Sequence, residues 1–299
     1  MAVRPFRFGV TAPTPSAGTD WVERARRVEQ LGYSILVVPA LTAAALATTR
    51  LRVGSLVFSN DFRHPAVLAK EAATIDVLSG GRFELGLGGG WLRAEYDQTG
   101  IPFEAPGTRI ERLEEAVTII KGLLAGERVT FAGRHYTIAD LEGRPTPVQR
   151  PHPPIAIGGG GRRTLTLAAR EASIVGLVPR ARRDGSGLDM TDLSAAATRE
   201  KLEWVRSAAG DRFDSLEIHA LIQAVAVGER RTAAADDLAS RFKVARDVVL
   251  ETPYVLLGTI KEMCESLRQR RERYGISYLT VFERDMEVFA PVVARLAGT

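Results

Sequence analysis

The sequence predicts an α/β protein built as a (β/α)₈ TIM barrel with insertions at its C-terminal face. Short aliphatic runs alternate with helical patterns almost from end to end of the 299 residues. Several of these runs are continuously apolar, as expected when both faces of a parallel sheet are covered. Eight strand–helix units in this length favour one barrel domain, and a doubly wound open sheet is the alternative.

The predicted elements follow from β-branched or aliphatic runs and from helical periodicity. The strands are Arg7–Val10, Ser34–Val38, Arg52–Val57, Arg82–Leu87, Ile155–Ile157, Ile174–Leu177, Leu216–Ala220 and Tyr278–Phe282. The helices between them are Asp20–Leu31, Pro65–Leu78, Arg109–Leu124, Thr164–Ala169, Ala195–Ala208, Ile260–Tyr274 and Met286–Leu296.

Local signals support two helix boundaries in particular. Thr19-Asp20 can cap the first helix, and Gly32 follows its end. His64-Pro65 places a proline in the first turn of the second predicted helix and a histidine at its cap.

Three segments do not fit the strand–helix alternation and are predicted as insertions above the barrel. They span about residues 126–154, 180–194 and 228–256. The first contains a predicted β-hairpin that turns near Gly133 and then an extended proline-rich run. The second and third are predicted to be irregular. Insertions at this end of a barrel form the walls of active sites.

Composition excludes several classes of function. The net charge of +4 comes with no dense basic block, so we expect no nucleic-acid partner. Cys264 is the only cysteine and lies in a helical pattern, where a small buried apolar role is favoured. The four histidines lack ligand spacing, so we expect no metal. No signal pattern and no run as long as a membrane span is present, which predicts a cytoplasmic protein without a membrane partner.

Two glycine-rich segments are the strongest indication of a ligand site. Gly88-Gly89-Gly90 ends the fourth strand, and Gly158-Gly159-Gly160-Gly161 ends the fifth. Glycines leave the main chain open to a flat or phosphorylated ligand, although they can also serve only to permit tight turns. Trp91 and Arg163 stand where a dinucleotide fingerprint needs its third glycine.

The second segment is predicted to hold a phosphate. Gly158–Gly161 precede a helix whose N-terminal dipole favours an anion, and Arg162 and Arg163 add positive charge.

Acid–base candidates are few. Glu217 and His219 lie two residues apart on the seventh strand and therefore on one face, either toward substrate or as a hydrogen-bonded pair in the core. No Gly-x-Ser-x-Gly elbow occurs, so hydrolase chemistry has no support. The lack of a clear acid–base pair favours a cofactor that carries the chemistry.

The chain resembles the luciferase-like monooxygenase superfamily, and within it the branch that uses the deazaflavin coenzyme F420. The resemblance covers nearly the whole chain and depends on four groups of motif residues. These motifs are Leu51-Arg52-Val53-Gly54-Ser55 with Arg63-His64-Pro65-Ala66, Ser79–Trp91 with Glu95, Arg109-Ile110-Glu111-Arg112-Leu113-Glu114-Glu115, and Pro153–Gly161.

The resemblance implies a set of cofactor contacts. A non-prolyl cis peptide is implied in the third strand, here between Ser55 and Leu56, where it bulges against the ring. Trp91 stands where some relatives place a catalytic Glu, and an indole cannot act as a general acid. The implied cofactor-binding residues are Ser55, Leu56, Phe58, Asn60, Gly88, Gly89, Gly90, Trp91, Gly158, Gly159, Gly160, Gly161, Arg162 and Thr164.

The implied activity is hydride transfer between F420 and an unknown organic substrate. The alternatives are an FMN-dependent monooxygenase served by a separate reductase and a degenerate barrel that binds flavin without turnover. Catalytic candidates are Trp91, His219 and Glu217. Relatives are often homodimers, and the apolar second and third helices offer an interface. The Arg- and Ala-rich composition is compatible with an actinobacterial source, where F420 occurs.

One segment departs from the family pattern. Val37-Val38-Pro39 is followed at once by Ala40-Leu41, so the acidic residue and histidine that relatives carry after the second strand are absent. Either the protein lacks them, or the natural loop is longer, and we expect the longer loop. An intact mass clearly above 32.5 kDa for the natural protein would support it, whereas agreement with 32.5 kDa would refute it.

Overall fold

The barrel predicted from the sequence is present in the computed structural model, which describes residues 3–12, 20–38 and 40–299. The strands within these residues are β1 Arg7–Thr11, β2 Ile35–Val37, β3 Arg52–Gly54, β4 Phe58–Ser59, β5 Phe83–Gly88, β6 Arg128–Ala132, β7 Thr137–Glu142, β8 Ile155–Gly159, β9 Ile174–Leu177, β10 Glu217–Leu221, β11 Ala224–Val227, β12 Val255–Gly258 and β13 Ile276–Phe282.

Helices surround the strands. They are α1 Asp20–Gln30, α2 Leu41–Ala47, α3 Pro65–Leu78, α4 Arg93–Thr99, α5 Pro106–Ala125, α6 Arg162–Glu171, α7 Ala195–Ala209, α8 Arg231–Phe242, α9 Arg246–Glu251, α10 Ile260–Tyr274 and α11 Met286–Leu296. In the part of the chain described, no helix has both the length and the apolar character that crossing a membrane requires.

Eight parallel strands close into the barrel. Their order is β1, β2, β3, β5, β8, β9, β10 and β13, and β13 pairs with β1 again. The pairing of β3 with β5 closes the ring, which rules out the open doubly wound sheet. These eight strands are the eight that the sequence predicted.

The outward face of each strand packs on the helices, and the major hydrophobic core lies between these two layers. Phe8 and Val10 of β1 are fully buried in this core together with Phe289 of α11. Cys264 belongs to it as well, so the predicted apolar role of this cysteine is confirmed. Inward-facing side chains fill the barrel itself.

Most helix predictions are confirmed. Pro65–Leu78, Ile260–Tyr274 and Met286–Leu296 have the predicted bounds, and His64 caps α3 by accepting a hydrogen bond from the Ala66 amide at 3.3 Å. The cap predicted at Thr19 lies outside the described residues, as does Pro39. The sequence analysis missed α2, whose Leu-Thr-Ala-Ala-Ala-Leu-Ala composition has little apolar periodicity.

The insertions are more ordered than predicted. The β6–β7 hairpin is confirmed, and the Glu115 carboxylate holds its turn by accepting the amides of Arg134, His135 and Tyr136. The prediction of an irregular third insertion is wrong, because it contains α8 and α9. A short sheet of β11 and β12 joins this insertion to the barrel.

The third barrel strand is interrupted by a bulge. Gly54 pairs with Glu84 and Phe58 with Leu87, so three residues, 55–57, lie opposite two on β5. The Ser55 hydroxyl bridges the gap: it accepts from the Gly86 amide at 3.1 Å and donates to the Gly86 carbonyl at 2.9 Å.

The non-prolyl cis peptide lies in this bulge, between Leu56 and Val57. The predicted position between Ser55 and Leu56 is therefore wrong by one bond. Ser55 stays in contact with β5 through its side chain, and the chain leaves the sheet only after it.

Two glycines of β5 exist to accommodate this bulge. A Cβ at Gly86 would overlap the Ser55 carbonyl oxygen, and a Cβ at Gly88 would lie 2.6 Å from Val57 Cγ2. Main-chain atoms cannot move as a flexible side chain can, so the contact at Gly86 admits no larger residue. These two glycines are thus required by packing within the barrel.

An ionic layer fills the lower half of the barrel. The Arg7 guanidinium donates to Glu84 and, at 2.5 Å, to Glu217, while Arg52 donates to Glu84 at 2.6 Å. Arg7 also stacks over the Tyr278 ring at 4.5 Å. Burial raises the pKa of Glu217, against the opposing effect of Arg7. The two carboxylates are thus neutralised inside the barrel by two arginines.

His219 lies above this layer, inside the barrel. It is 2% exposed, its Nε2 lies 2.8 Å from the Thr280 hydroxyl, and its ring packs edge-on against Tyr278. Glu217 and His219 are both buried, but each bonds to a different partner, so they do not form the hydrogen-bonded pair that the sequence suggested. Burial, with the nearby Arg7 charge, lowers the pKa of His219 to about 3.

Adding a methyl group at Gly86 should destabilise the barrel. We expect Gly86→Ala to reduce the free energy of unfolding by about 2–3 kcal/mol, because the new Cβ overlaps main chain in a packed interior. Gly89→Ala is the matched control, since its Cβ would meet no atom closer than 3.9 Å. Urea unfolding measures both, and equal losses in the two variants would contradict the packing argument.

The buried His219 should make the protein less stable in acid. Its folded pKa lies below the unfolded value of 6.5, so the unfolded chain binds a proton first as the pH falls from about 6.5 toward 3. The free energy of unfolding should therefore fall by up to about 1.4 kcal/mol per pH unit in that window from this group alone. His219→Gln should show a shallower slope in urea unfolding between pH 7 and 4.5. A slope identical to wild type would refute this assignment.

Candidate functional site

The C-terminal ends of the strands form an open mouth whose floor is the β3 bulge. Leu56, Val57 and Phe58 are half-buried there. The ends of β5 and β8 adjoin them, since Leu87 pairs with Ile157 and Gly158 lies beside Val57. The structure thus brings together the third-, fourth- and fifth-strand segments that the sequence predicted as one site.

A small cavity of about 20 Å³ lies below this floor, inside the barrel. Such a volume is enough for roughly one water molecule. Leu56 and Gly158 of the floor line it together with His219 and Tyr278. The floor therefore covers a nearly filled barrel, and a ligand the size of a flavin must lie above it.

Tyr96 packs closely against the glycine turn that follows β5. Gly90 has a φ of +69°, and a Cβ there would overlap the Tyr96 hydroxyl, so this position requires glycine for two reasons. Arg109 grips the neighbouring Gly89 carbonyl at 3.2 Å and stacks on Phe103 at 4.0 Å. A Cβ at Gly89 would meet no atom closer than 3.9 Å, so neighbouring atoms do not require glycine at this position of the run.

The buried carboxylate of Asp61 binds Tyr96 and α5, which pack against the glycine turn. Asp61 accepts from the Tyr96 hydroxyl at 2.9 Å and from Arg112 at 2.8 Å. Burial raises the pKa of Tyr96 to about 12, so the phenol stays protonated and donates. The sequence analysis missed Tyr96 and Asp61. Arg109 and Arg112 stood in a family motif, but their spacing alone could not reveal their partners.

Asn60 does not reach the mouth. It is 1% exposed, and its amide nitrogen donates to the Tyr136 hydroxyl of the hairpin at 3.1 Å. Phe58, by contrast, stays half-buried at the floor, with Arg63 stacked over its ring at 4.8 Å. The structure therefore separates these two predicted cofactor contacts.

The N-terminus of α6 opens toward the mouth. Gly161 is its N-cap residue and provides no side-chain cap, so the first amides of the helix have no side-chain partner. A Cβ at Gly161 would meet nothing within 4 Å, which leaves open space in front of these amides. Free amides and the helix dipole together favour a phosphate here.

The other glycines of this run serve the turn. A Cβ at Gly159 would lie 2.6 Å from Thr164 Cγ2, and one at Gly160 would lie 2.6 Å from the Arg180 amide. Both distances are too short for a side chain. The sequence offered two roles for this run, ligand approach and tight turning; close contacts account for Gly159 and Gly160 by tight turning, whereas Gly158 and Gly161 have room for a Cβ.

The arginines beside α6 differ in availability. Arg163 is bound to Glu111 at 3.1 Å and points toward α5. Arg162 is exposed at the first turn of the helix, as are Arg182 and Arg183 in the segment that follows β9. Arg162 is thus the charged side chain free to approach an anion at the helix N-terminus.

The three catalytic candidates lie in different surroundings. Trp91 is 42% exposed at the mouth, where its indole can cover a ligand. Glu217 is engaged by Arg7 in the ionic layer, and His219 lies under the floor. The mouth thus offers a shaped apolar floor, an anion seat and an indole, but no free acid–base pair among these candidates.

The family comparison agrees with this arrangement. The family model described as luciferase-like monooxygenase matches residues 2–285. The fold of coenzyme F420-dependent tetrahydromethanopterin reductase from Methanopyrus kandleri superimposes with a TM-score of 0.77 at 18% identity, over 98% of each chain.

Curated relatives match over part of the chain. An F420-dependent glucose-6-phosphate dehydrogenase from Microbacterium testaceum is 38% identical over 142 residues, 47% of this chain and 41% of its own length. An FMNH2-dependent dimethylsulfone monooxygenase from Pseudomonas putida is 34% identical over 137 residues, 46% of this chain and 37% of its own. The chain thus spans about two fifths of each of these relatives. With its matching family model, closed barrel and bulged floor, the chain belongs to the luciferase-like monooxygenase family.

Proposed function

We propose that this protein is an F420-dependent oxidoreductase that transfers a hydride between the deazaflavin and a small organic substrate. The observation that carries the proposal is the uncapped N-terminus of α6 beside the half-buried bulge floor. This pairing suits a cofactor with a flat ring and a phosphorylated side chain.

The residues present fit such a cofactor. Leu56, Val57 and Phe58 offer an apolar surface for one face of a ring, and Gly89 leaves main chain open at the ring edge. The amides at the start of α6 and the exposed Arg162 would hold the phosphate. When bound, the reduced deazaflavin supplies a hydride, and the oxidised form accepts one.

The chain's own contribution is to bind, orient and exclude water. The floor is rigid because Ser55, Gly86 and Gly88 lock the bulge onto β5. Trp91 lies at the edge of the mouth, where an indole can exclude water from a bound ring. His219 stays neutral beneath the floor, because its pKa is lowered to about 3 by burial, so it adds no charge under the ring.

The choice of F420 over FMN rests on two observations. The F420-dependent relative is 38% identical in its matched segment, against 34% for the FMNH2-dependent one. The exposed Arg162 in the first turn of α6 favours the more anionic cofactor. The alternative is an FMN-dependent monooxygenase supplied by a separate reductase, which the second relative supports. A barrel that binds flavin without turnover is the third candidate.

Separate titrations with F420 and FMN distinguish these candidates. We expect saturable F420 binding, seen as quenching of its fluorescence, and much weaker FMN binding. Tight FMN binding with negligible F420 binding would replace our proposal with the monooxygenase. Binding of a cofactor with no turnover of any substrate offered would favour the third candidate.

A carboxylate side chain at the N-terminus of α6 should weaken cofactor binding. Gly161→Asp places a carboxylate at the N-cap of α6, where it accepts the free amides and repels a phosphate. We expect F420 affinity to fall by about tenfold or more, whereas Gly161→Ala, which adds only a methyl group into open space, should retain it. Fluorescence titration of both variants measures this. Equal F420 affinities of the Gly161→Asp and Gly161→Ala variants would show that the phosphate does not bind at the N-terminus of α6.

We also propose that the protein forms a homodimer through α2 and α3. The sequence offers Pro65–Leu78 and Arg109–Leu124, which correspond to α3 and α5, and the exposed apolar side chains favour α2 in place of α5. Among the described residues, four of the ten large apolar side chains that are exposed lie on these helices: Leu46, Val67, Val77 and Leu78. Arg82 ties the ends of the two helices together by donating to the Ala45 and Thr48 carbonyls at the end of α2 and to the Ser79 carbonyl after α3. Exposed apolar side chains on two neighbouring helices favour burial against a second copy.

A charge on this face should dissociate the dimer. Leu78→Glu should shift the protein to monomer in sedimentation velocity, because a buried carboxylate would lack a partner. Val288→Glu is the control, since Val288 is a similarly exposed side chain, at 50%, on α11. A wild-type protein that is monomeric at micromolar concentration would refute the proposal.

A further inference from the structure

A second cavity lies on the outside of the barrel, away from the mouth. Its volume of about 440 Å³ is in the range of small-molecule pockets. It runs between α10 and the third insertion, and it shares no lining residue with the mouth. Its polar lining comes mainly from one face of α10, and it includes Ser266, Gln269, Arg270, Arg273 and Tyr274 together with Arg231 of α8.

Arg270 is a cation without a carboxylate partner. Its guanidinium donates to the carbonyls of Pro253 at 3.0 Å and Val255 at 2.7 Å, which hold it along the outer edge of β12. Among the described residues, no carboxylate oxygen lies within 4.0 Å of it. Burial lowers the pKa of Arg270 to about 10, against the opposing effect of Tyr274 and with a smaller lowering effect of Arg231.

Tyr274 presents an unused donor at the same end. Its side chain is 4% exposed, and its hydroxyl has no hydrogen-bond partner in the described structure. Buried polar groups are normally satisfied, so an orphaned hydroxyl in a cavity wall indicates a missing acceptor. Arg270, Arg273 and Tyr274 are spaced i, i+3 and i+4 and therefore share one helix face.

Three acidic residues also line the cavity, namely Glu251, Glu262 and Glu265, and Glu251 lies two residues before Pro253, whose carbonyl accepts from Arg270. Glu262 belongs to the first turn of α10, where it closes a capping box with Thr259. Glu265 precedes Arg273 by eight residues, which is about 12 Å along a helix. Glu251, on α9, is exposed and makes no ion pair within 4.0 Å with a described residue. The donors at the Arg270 end are therefore not neutralised by direct contact.

We propose that this cavity binds a phosphorylated small molecule through Arg270, Arg273 and Tyr274. Two guanidinium groups and a phenol supply charge-assisted hydrogen bonds to a phosphoryl group, and the remaining volume accommodates the body of the ligand. The site is separate from the cofactor mouth, and its existence does not depend on the proposed function.

Calorimetric titration with inorganic pyrophosphate tests the site at constant ionic strength. The protein carries Gly161→Asp throughout, so that the helix N-terminus at the mouth does not contribute. In this background we expect saturable binding at one site, and we expect Tyr274→Phe and Arg273→Gln each to weaken it at least about fivefold. Arg268→Gln removes an exposed arginine of α10 that does not line the cavity, and it should change affinity by less than about twofold.

Thermal unfolding without pyrophosphate distinguishes lost binding from lost folding. Tyr274→Phe should unfold at the wild-type temperature or higher, because it removes an unsatisfied buried hydroxyl. Absence of saturable pyrophosphate binding would overturn the proposal. Equal weakening by Arg268→Gln and Arg273→Gln would also overturn it, since binding would then follow net charge rather than this cavity.

Discussion

The contact between the β3 bulge and the glycines of β5 is the constraint on which the rest of the structure depends. Gly86 and Gly88 leave room for Ser55 and Val57, and the Ser55 hydroxyl satisfies both main-chain groups of Gly86. This arrangement turns the third strand inward without leaving polar groups unpaired. The bulge thereby becomes a closed floor at the end of the barrel that carries the active site in this fold.

The side chains of the ionic layer fill the barrel below the floor. Arg7 and Arg52 bind Glu84 and Glu217, and Tyr278 stacks on Arg7. Such buried charges are retained only when they are paired, so these residues act as one unit. Their location beneath the floor removes Glu217 from the list of groups that can meet a substrate, although it stands on a barrel strand in the position where a catalytic acid is often sought.

Elements outside the barrel strands support and complete the mouth that the strand ends form. Tyr96 of α4 and Arg109 of α5 set the turn at Gly89 and Gly90, and Asp61 links Tyr96 to Arg112 of α5. The uncapped α6 N-terminus adds the proposed anion site. A flat floor and an anion seat suit a ring cofactor with a phosphate, which agrees with the family to which the chain belongs. Specificity for a substrate would then depend on the insertions around this mouth.

The sequence by itself determined the barrel and the location of its mouth. Eight apolar runs are local patterns, and they coincide with the eight barrel strands because strand formation follows from side chains along one segment. The glycine runs likewise marked the ends of β5 and β8. The tertiary structure alone decided which glycines have an open face. Gly86 and Gly159 lack one because of close neighbours, and the neighbour of Gly86, Ser55, is 31 residues away in the sequence. It also decided that Asn60 turns toward Tyr136 and that the cis bond follows Leu56, because both depend on contacts between segments that periodicity cannot relate.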